Sequence, residues 1–264
     1  MIKYLCRAIT TASFRTTIAR FRYFLNSDVK IYTNTTFADD GLISEHISDF
    51  MNDKKFLHAY QQGTAQGGLE NHSGGIQFRV YICCWAAAYA SKLDGDFVEC
   101  GVGKGVISKT ICVYLNFNEY NKNFYLFDTF SGIPIEDASS DLERENISKL
   151  NHLHFDSDYS ELVIESFRDF PNVKVVKGKI PNSLSSIKLE RVSYISIDMN
   201  NATAEIAAIE YLWDKIVSGG VIVLDDYAYG EEFREQKNAW DRFAKDIGIE
   251  ILSLPTGQGL IIKH

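Results

Sequence analysis

Proline is scarce in this chain, with 4 among 264 residues. With 45% hydrophobic and 13% aromatic residues, that scarcity excludes disordered, collagenous and low-complexity chains. Cysteine is equally sparing. Cys6, Cys83, Cys84, Cys100 and Cys112 form no CxxC pair and no Cys/His array, so neither a thiolate zinc site nor a disulfide framework is expected. They read as small buried hydrophobes in a reducing cytoplasm. Positive charge is in deficit: 27 Lys and Arg against 35 Asp and Glu leave a net charge of −8, which argues against nucleic-acid binding. No apolar run approaches the roughly 20 residues that span a bilayer. The first residues lack the continuous apolar core and small-residue cleavage site of a secretory signal.

The cations that exist gather at the start. Lys3, Arg7, Arg15, Arg20 and Arg22 alternate with Leu5, Ile9, Phe14, Ile18, Phe21 and Phe24, the pattern of a basic amphipathic helix. Such a helix suits peripheral contact with an anionic membrane or a partner; packing on its own domain or a sister subunit is the plainer reading. Further helices are expected over Asp39 to Tyr60 and Ile76 to Leu93, separated by a Gly-rich hinge or lid from Gly63 to Gly75. Residues 1–75 thus read as a helical extension and 76–264 as the main domain, a length suited to one core.

From Gly95 the chain alternates. Strands are expected at Asp96–Cys100, Phe124–Asp128, Val173–Val176, Val192–Asp198 and Val221–Leu224, and an antiparallel pair at Ile249–Leu254 and Leu260–Lys263. Between them lie helices at Val106–Phe117, Tyr159–Phe170, Thr203–Val217 and Glu231–Asp246. Strands alternating with helices give an α/β fold with a mostly parallel sheet, whose ligands bind at the carboxyl ends of the strands.

Three groups of residues fall at those ends. Glu99-Cys-Gly101-Val-Gly103-Lys-Gly105 is a glycine loop between strand and helix, where backbone amides approach a ligand closely. The G-x-G-x-x-G dinucleotide spacing fails at Val106. An acid two residues before the first Gly suits a cationic cofactor better than a pyrophosphate; a tight turn beside a surface Glu is the alternative. Asp128 is placed to accept from ribose hydroxyls or to cap the turn from Thr129 to Gly132, and Gly178 would border an adenine ring. Asp198, Asp225 and Asp226 end adjacent strands about 4.8 Å apart. Three converging unpaired carboxylates call for a cation, and oxygen-only ligands favour Mg²⁺, Ca²⁺ or Mn²⁺; helix capping is the competing explanation.

The stretches GDFVECGVGKG (Gly95 to Gly105), FYLFDTFSGIP (Phe124 to Pro134), VKVVKGKIPNSL (Val173 to Leu184), SYISIDMN (Ser193 to Asn200), SGGVIVLDDYAY (Ser218 to Tyr229) and LPTGQGLIIK (Leu254 to Lys263) resemble the macrocin O-methyltransferase (TylF-like) family. FRVYICCWAAAYA (Phe78 to Ala90) is similar to a helix preceding the cofactor loop in relatives. The resemblance implies a Rossmann-like class I methyltransferase fold: a seven-stranded, mostly parallel sheet with a terminal antiparallel pair and an N-terminal helical extension. It also implies S-adenosylmethionine as cofactor and a sugar hydroxyl of a small molecule or glycan as acceptor, with Mg²⁺ or another divalent cation bound. The cofactor-binding set then reads Glu99, Gly101, Gly103, Gly105, Asp128, Thr129 and Gly178, the metal ligands Asp198, Asp225 and Asp226, and the base Asp198. A homo-oligomer follows from the same likeness.

Two departures stand out. Asn200 occupies the second acidic position of a D-x-D pattern common in relatives, and Glu231 replaces the His of their G-H-x-x-Q stretch, with Gln236 displaced. A catechol-type methyltransferase and a non-catalytic nucleotide-binding scaffold are the alternative functions.

Overall fold

A computed structural model describes residues 32–67, 75–154 and 158–264. The basic segment at the start lies outside the described residues, as does most of the expected hinge. The chain divides at Asn52–Asp53 into two units.

Within the first unit, β1 (Phe37–Asp39) and β2 (Leu42–Ser44) form an antiparallel hairpin. The helix expected from Asp39 is therefore not there. The Asp40-Gly41 pair takes left-handed φ values of 49° and 75°, the turn that closes a two-residue hairpin. The helix that does form, α1 (Lys54–Gly67), starts where the Asp53 carboxylate accepts from the Lys55 amide at 2.8 Å.

In the second unit α1 is followed by α2 (Gln77–Ala90), β3 (Asp96–Cys100), α3 (Val106–Leu115) and β4 (Phe124–Asp128). Next come α4 (Asp141–His154), α5 (Ser160–Ser166), β5 (Val173–Lys177), the short α6 (Asn182–Ser185), β6 (Val192–Ile197) and α7 (Ala202–Leu212). β7 (Ile216–Leu224), α8 (Arg234–Ile247), β8 (Leu252–Ser253) and β9 (Gly259–Ile262) complete it. The seven-stranded sheet has the order β5-β4-β3-β6-β7-β9-β8. β3 to β7 are mutually parallel, while β9 runs antiparallel to both β7 and β8. This is the class I methyltransferase arrangement.

Burial explains the strands. All six residues of β6 and the four before Cys100 inclusive in β3 are buried, as expected for central strands covered on both faces. Ile216 shows the limit of periodicity. It continues the spacing of Ile206, Ile209 and Trp213, yet α7 stops at Leu212 and Ile216 opens β7, paired with Val192 and buried by the sheet. Asn201 starts α7, its side chain accepting from the Ala204 amide at 2.9 Å. Cys83, Cys84, Cys100 and Cys112 are buried and unbridged. Among the described residues, no helix is long and apolar enough to cross a membrane.

The start of the expected hinge is a packing contact. Gly63 lies inside α1, where a Cβ would stand 2.1 Å from Thr110 Oγ1 and 2.6 Å from the Val106 carbonyl oxygen on α3. Alanine usually improves a helix by about 1 kcal/mol over glycine. At this crossing Gly63→Ala should instead cost roughly 2 kcal/mol through overpacking and lower Tm by roughly 4–8 °C in calorimetry; a raised Tm would contradict the close α1–α3 approach.

Candidate active site at the strand ends

The sheet order reverses between β3 and β6, so the chain leaves those two strands in opposite directions and opens a crevice at their carboxyl ends. One cavity there is lined by Gly101, Gly103, Asp128, Thr129, Gly178 and Asp198, together with Asn200, Asn201 and Tyr159. Residues drawn from four strand ends thus meet as expected. Backbone bonds set the floor: the amides of Gly101, Gly178 and Asp198 donate to the carbonyls of Phe127, Asp128 and Cys100, each at 2.9 Å. Gly101 has φ 83°, and a Cβ there would stand 1.9 Å from the Asp198 carbonyl oxygen. The loop can cross the end of β6 only without a side chain.

Asp128 ties the glycine loop down. Its Oδ2 accepts from the amides of Val102 at 2.7 Å and Gly103 at 2.9 Å, and its Oδ1 accepts from Phe130 at 2.6 Å. Burial raises its pKa, while the Phe130, Gly103 and Val102 amides pull the other way. Asp128 therefore caps the turn as well as facing the cavity. Thr129 closes that turn by donating to the Gly132 carbonyl at 2.5 Å. Two of the predicted cofactor-binding residues, and Asp225 and Asp226 of the predicted metal ligands, are not among those lining the cavity. Gly105 takes a left-handed conformation at the start of α3, against Phe167. Glu99 is buried at 1% exposure behind the loop, and its Oε2 has no hydrogen-bond partner. Burial pushes its pKa up to about 8; Ser108 opposes the rise, and Asp225 and Asp128 add to it.

Asp198, Asp225 and Asp226 converge as the strand register dictates. Ile197 pairs with Leu224, so the residues that follow are neighbours, and one oxygen of each carboxylate lies within 4.8 Å of the others. Among the described residues this is the one grouping of three metal-ligating side chains. Burial, then the charges of Asp225 and Asp226, drive the Asp198 pKa well above the usual carboxylate range, with Arg79 opposing. Asn200 donates from Nδ2 to Asp198 Oδ1 at 3.2 Å.

The carboxylates are not unpaired, which corrects the premise that a bound ion must neutralise them. Arg79 on α2 donates from Nη2 to Asp226 Oδ1 at 2.7 Å and to Asp225 Oδ2, and from Nε to Asp225 Oδ1 at 3.3 Å. Gln258 Nε2 adds a bond to Asp225 Oδ1 at 2.9 Å, and the guanidinium lies 4.7 Å from the centre of the Tyr229 ring. Sequence reasoning passed over Arg79, although a signal existed. It is the lone charge in the apolar run Phe78 to Ala90, and a buried arginine needs a carboxylate partner.

Two further buried acids brace the site. Glu143 on α4 accepts from the Ala202 amide at 2.6 Å and from the Ser139 amide at 2.5 Å, fixing the start of α7 beside the cavity. Glu205 accepts from Trp240 Nε1 at 2.8 Å and from Gln236 Nε2 at 3.4 Å, so Gln236 points into the core. Glu231 is exposed and paired with Arg234.

A family model described as macrocin-O-methyltransferase (TylF) matches residues 77–252. No curated protein matches the chain in sequence. Among solved structures, the O-methyltransferase NovP is similar with a TM-score of 0.64 at 18% identity, covering 80% of this chain and 99% of its own. The calicheamicin methyltransferase CalS11 follows with a TM-score of 0.56 at 14% identity, covering 83% of this chain and 98% of its own. The SAH-bound methyltransferase PaMTH1 of Podospora anserina has a TM-score of 0.52 at 11% identity, covering 97% of this chain and 99% of its own. At these identities the likeness shows the fold.

Burial pushes the Glu205 pKa from an ordinary value of 4.5 to about 7 against the Trp240 bond, with Asp226 adding to the rise. The folded state then holds a proton that the unfolded state releases, so stability falls as pH rises from about 4.5 through 7, by roughly 3 kcal/mol. Glu205→Gln should flatten the fall in Tm between pH 5 and pH 8; an unchanged slope would place the titration elsewhere.

Proposed function

Because the chain belongs to the macrocin-O-methyltransferase (TylF) family, we propose that it moves a methyl group from S-adenosylmethionine to a hydroxyl of a sugar carried on a nucleotide, glycan or natural-product glycoside. The observation that carries this reading is the double membership of Asp198. It lines the cavity beneath the glycine loop and belongs to the three-carboxylate cluster, so cofactor and acceptor would meet at one side chain. CalS11, a TDP-rhamnose 3'-O-methyltransferase of calicheamicin biosynthesis, supports a sugar acceptor, and the SAH-bound PaMTH1 supports the cofactor.

The residues present fit both the cofactor and a divalent metal. The cavity offers glycine backbone, the Asp128 carboxylate and Thr129, and behind it the unpartnered Glu99 oxygen suits a cationic amino-acid moiety. The cluster offers oxygen donors alone, as Mg²⁺ or Mn²⁺ prefers. Asp198, Asp225 and Asp226 would hold the metal, which when bound lowers the pKa of an acceptor hydroxyl and orients it. S-adenosylmethionine supplies a methyl on a sulfonium, a leaving group that needs no acid.

The chain's own residues then have alignment and one proton to manage. Asn200 orients the Asp198 carboxylate through Oδ1, and Asp198 takes the hydroxyl proton as the acceptor oxygen attacks the methyl carbon. Gly101 lets the loop lie against Asp198, and Asp128 holds the loop amides in place.

Asp198→Asn keeps the shape and removes the base. It should lower turnover by about a hundredfold or more while S-adenosylmethionine affinity, measured by calorimetry, changes by less than about threefold. Unchanged turnover would refute Asp198 as the base.

A further inference from the structure

Arg79 holds the face of the carboxylate cluster that Asp225 and Asp226 share. Its guanidinium engages both oxygens of Asp225 and Oδ1 of Asp226, and its side chain is 9% exposed. Tyr229 lies under the guanidinium plane at 4.7 Å, and Gln258 supports the clamp from behind, donating both to Asp225 Oδ1 and to the Arg79 carbonyl. Asp198 accepts from the Asn200 amide at 3.2 Å.

From this geometry we infer that Arg79 is the resident counter-ion of the cluster and that a divalent cation binds against it, the guanidinium and the metal competing for Asp225 and Asp226. The inference rests on the metal reading proposed above and deepens it. With all three carboxylates ionised, as a metal would hold them, they and one guanidinium leave a charge of −2 on four side chains, enough to attract a divalent ion. That ion cannot reach Asp225 without approaching the guanidinium bonded to both of its oxygens, and two cations sharing buried ligands repel strongly. Asn200 adds nothing to the metal's side of the contest, since it is a neutral amide beside Asp198. The competition gives the cluster two filled states. With little free metal, Arg79 keeps the strand ends from repelling one another; with metal in excess, the guanidinium yields its bonds to Asp225 and Asp226.

The test is Mn²⁺ binding to the full-length protein without cofactor, read from the electron paramagnetic resonance of free Mn²⁺, for wild type and Arg79→Gln. Removing the competing charge should tighten Mn²⁺ binding roughly tenfold, the scale on which neighbours of metal ligands act. Equal or weaker binding by Arg79→Gln would overturn the inference, because Arg79 would then be orienting the carboxylates for the metal. If Arg79→Gln folds only when Mn²⁺ is present, the metal has taken over the guanidinium's charge, as expected. If it folds under neither condition, Tyr229→Leu decides. That variant keeps all four charges and removes only the ring beneath the guanidinium, so Mn²⁺ should bind about threefold tighter; no change or weaker binding rejects competition. Absence of Mn²⁺ binding by wild type and variants alike would overturn the metal reading itself, a result distinct from equal binding.

Discussion

Charge compensation at the ends of β6 and β7 is the constraint on which the site depends. Parallel pairing of Ile197 with Leu224 makes Asp198, Asp225 and Asp226 neighbours whether or not their charges favour it. Side by side and partly buried, three carboxylates would push the strand ends apart. A cation must therefore be delivered from elsewhere in the chain, and α2 delivers it as Arg79, from a helix whose other buried positions, Val80, Cys83, Cys84, Ala86, Ala87 and Ala90, are apolar. Those residues hold the helix against the sheet closely enough for the guanidinium to reach across. The same helix layer includes α3 and α1, whose close crossing at Gly63 keeps the layer thin.

The cofactor side solves a different problem with backbone. A glycine loop must turn from β3 into α3 while lying against the end of β6, and Gly101 is the point where a side chain would collide with Asp198. Asp128 then anchors the loop by two amide bonds from the neighbouring strand. Loop, Asp128 and carboxylate cluster are in this way gathered at the carboxyl ends of adjacent strands of one sheet. Glu143 and Glu205 extend the bracing outward into α4, α7 and α8.

What the sequence made legible was local. The strands from Asp96 to Leu224 are short apolar runs ending in acids or glycines, and those runs and their boundaries locate them, apart from the start of β7. The residues at their ends needed only strand adjacency to be gathered into one rim. What escaped was long-range: Arg79 finds Asp225 146 positions away and Gln258 finds it 33 away, and neither separation leaves a periodic trace. The hairpin at Asp40-Gly41 was readable from its turn dipeptide, but the apolar spacing that follows imitates a helix. Ile216 was misplaced for the converse reason, since a helical period and a buried strand both put it inside.

Methyl transfer from S-adenosylmethionine labelled with ¹³C at the methyl group, offered with divalent metal to a panel of nucleotide sugars and a panel of catechols, tests the central claim most directly. Two-dimensional NMR of the products should show a new methoxyl carbon correlated with a sugar ring proton. Methylation of catechols with none on any sugar would contradict a sugar hydroxyl as the acceptor.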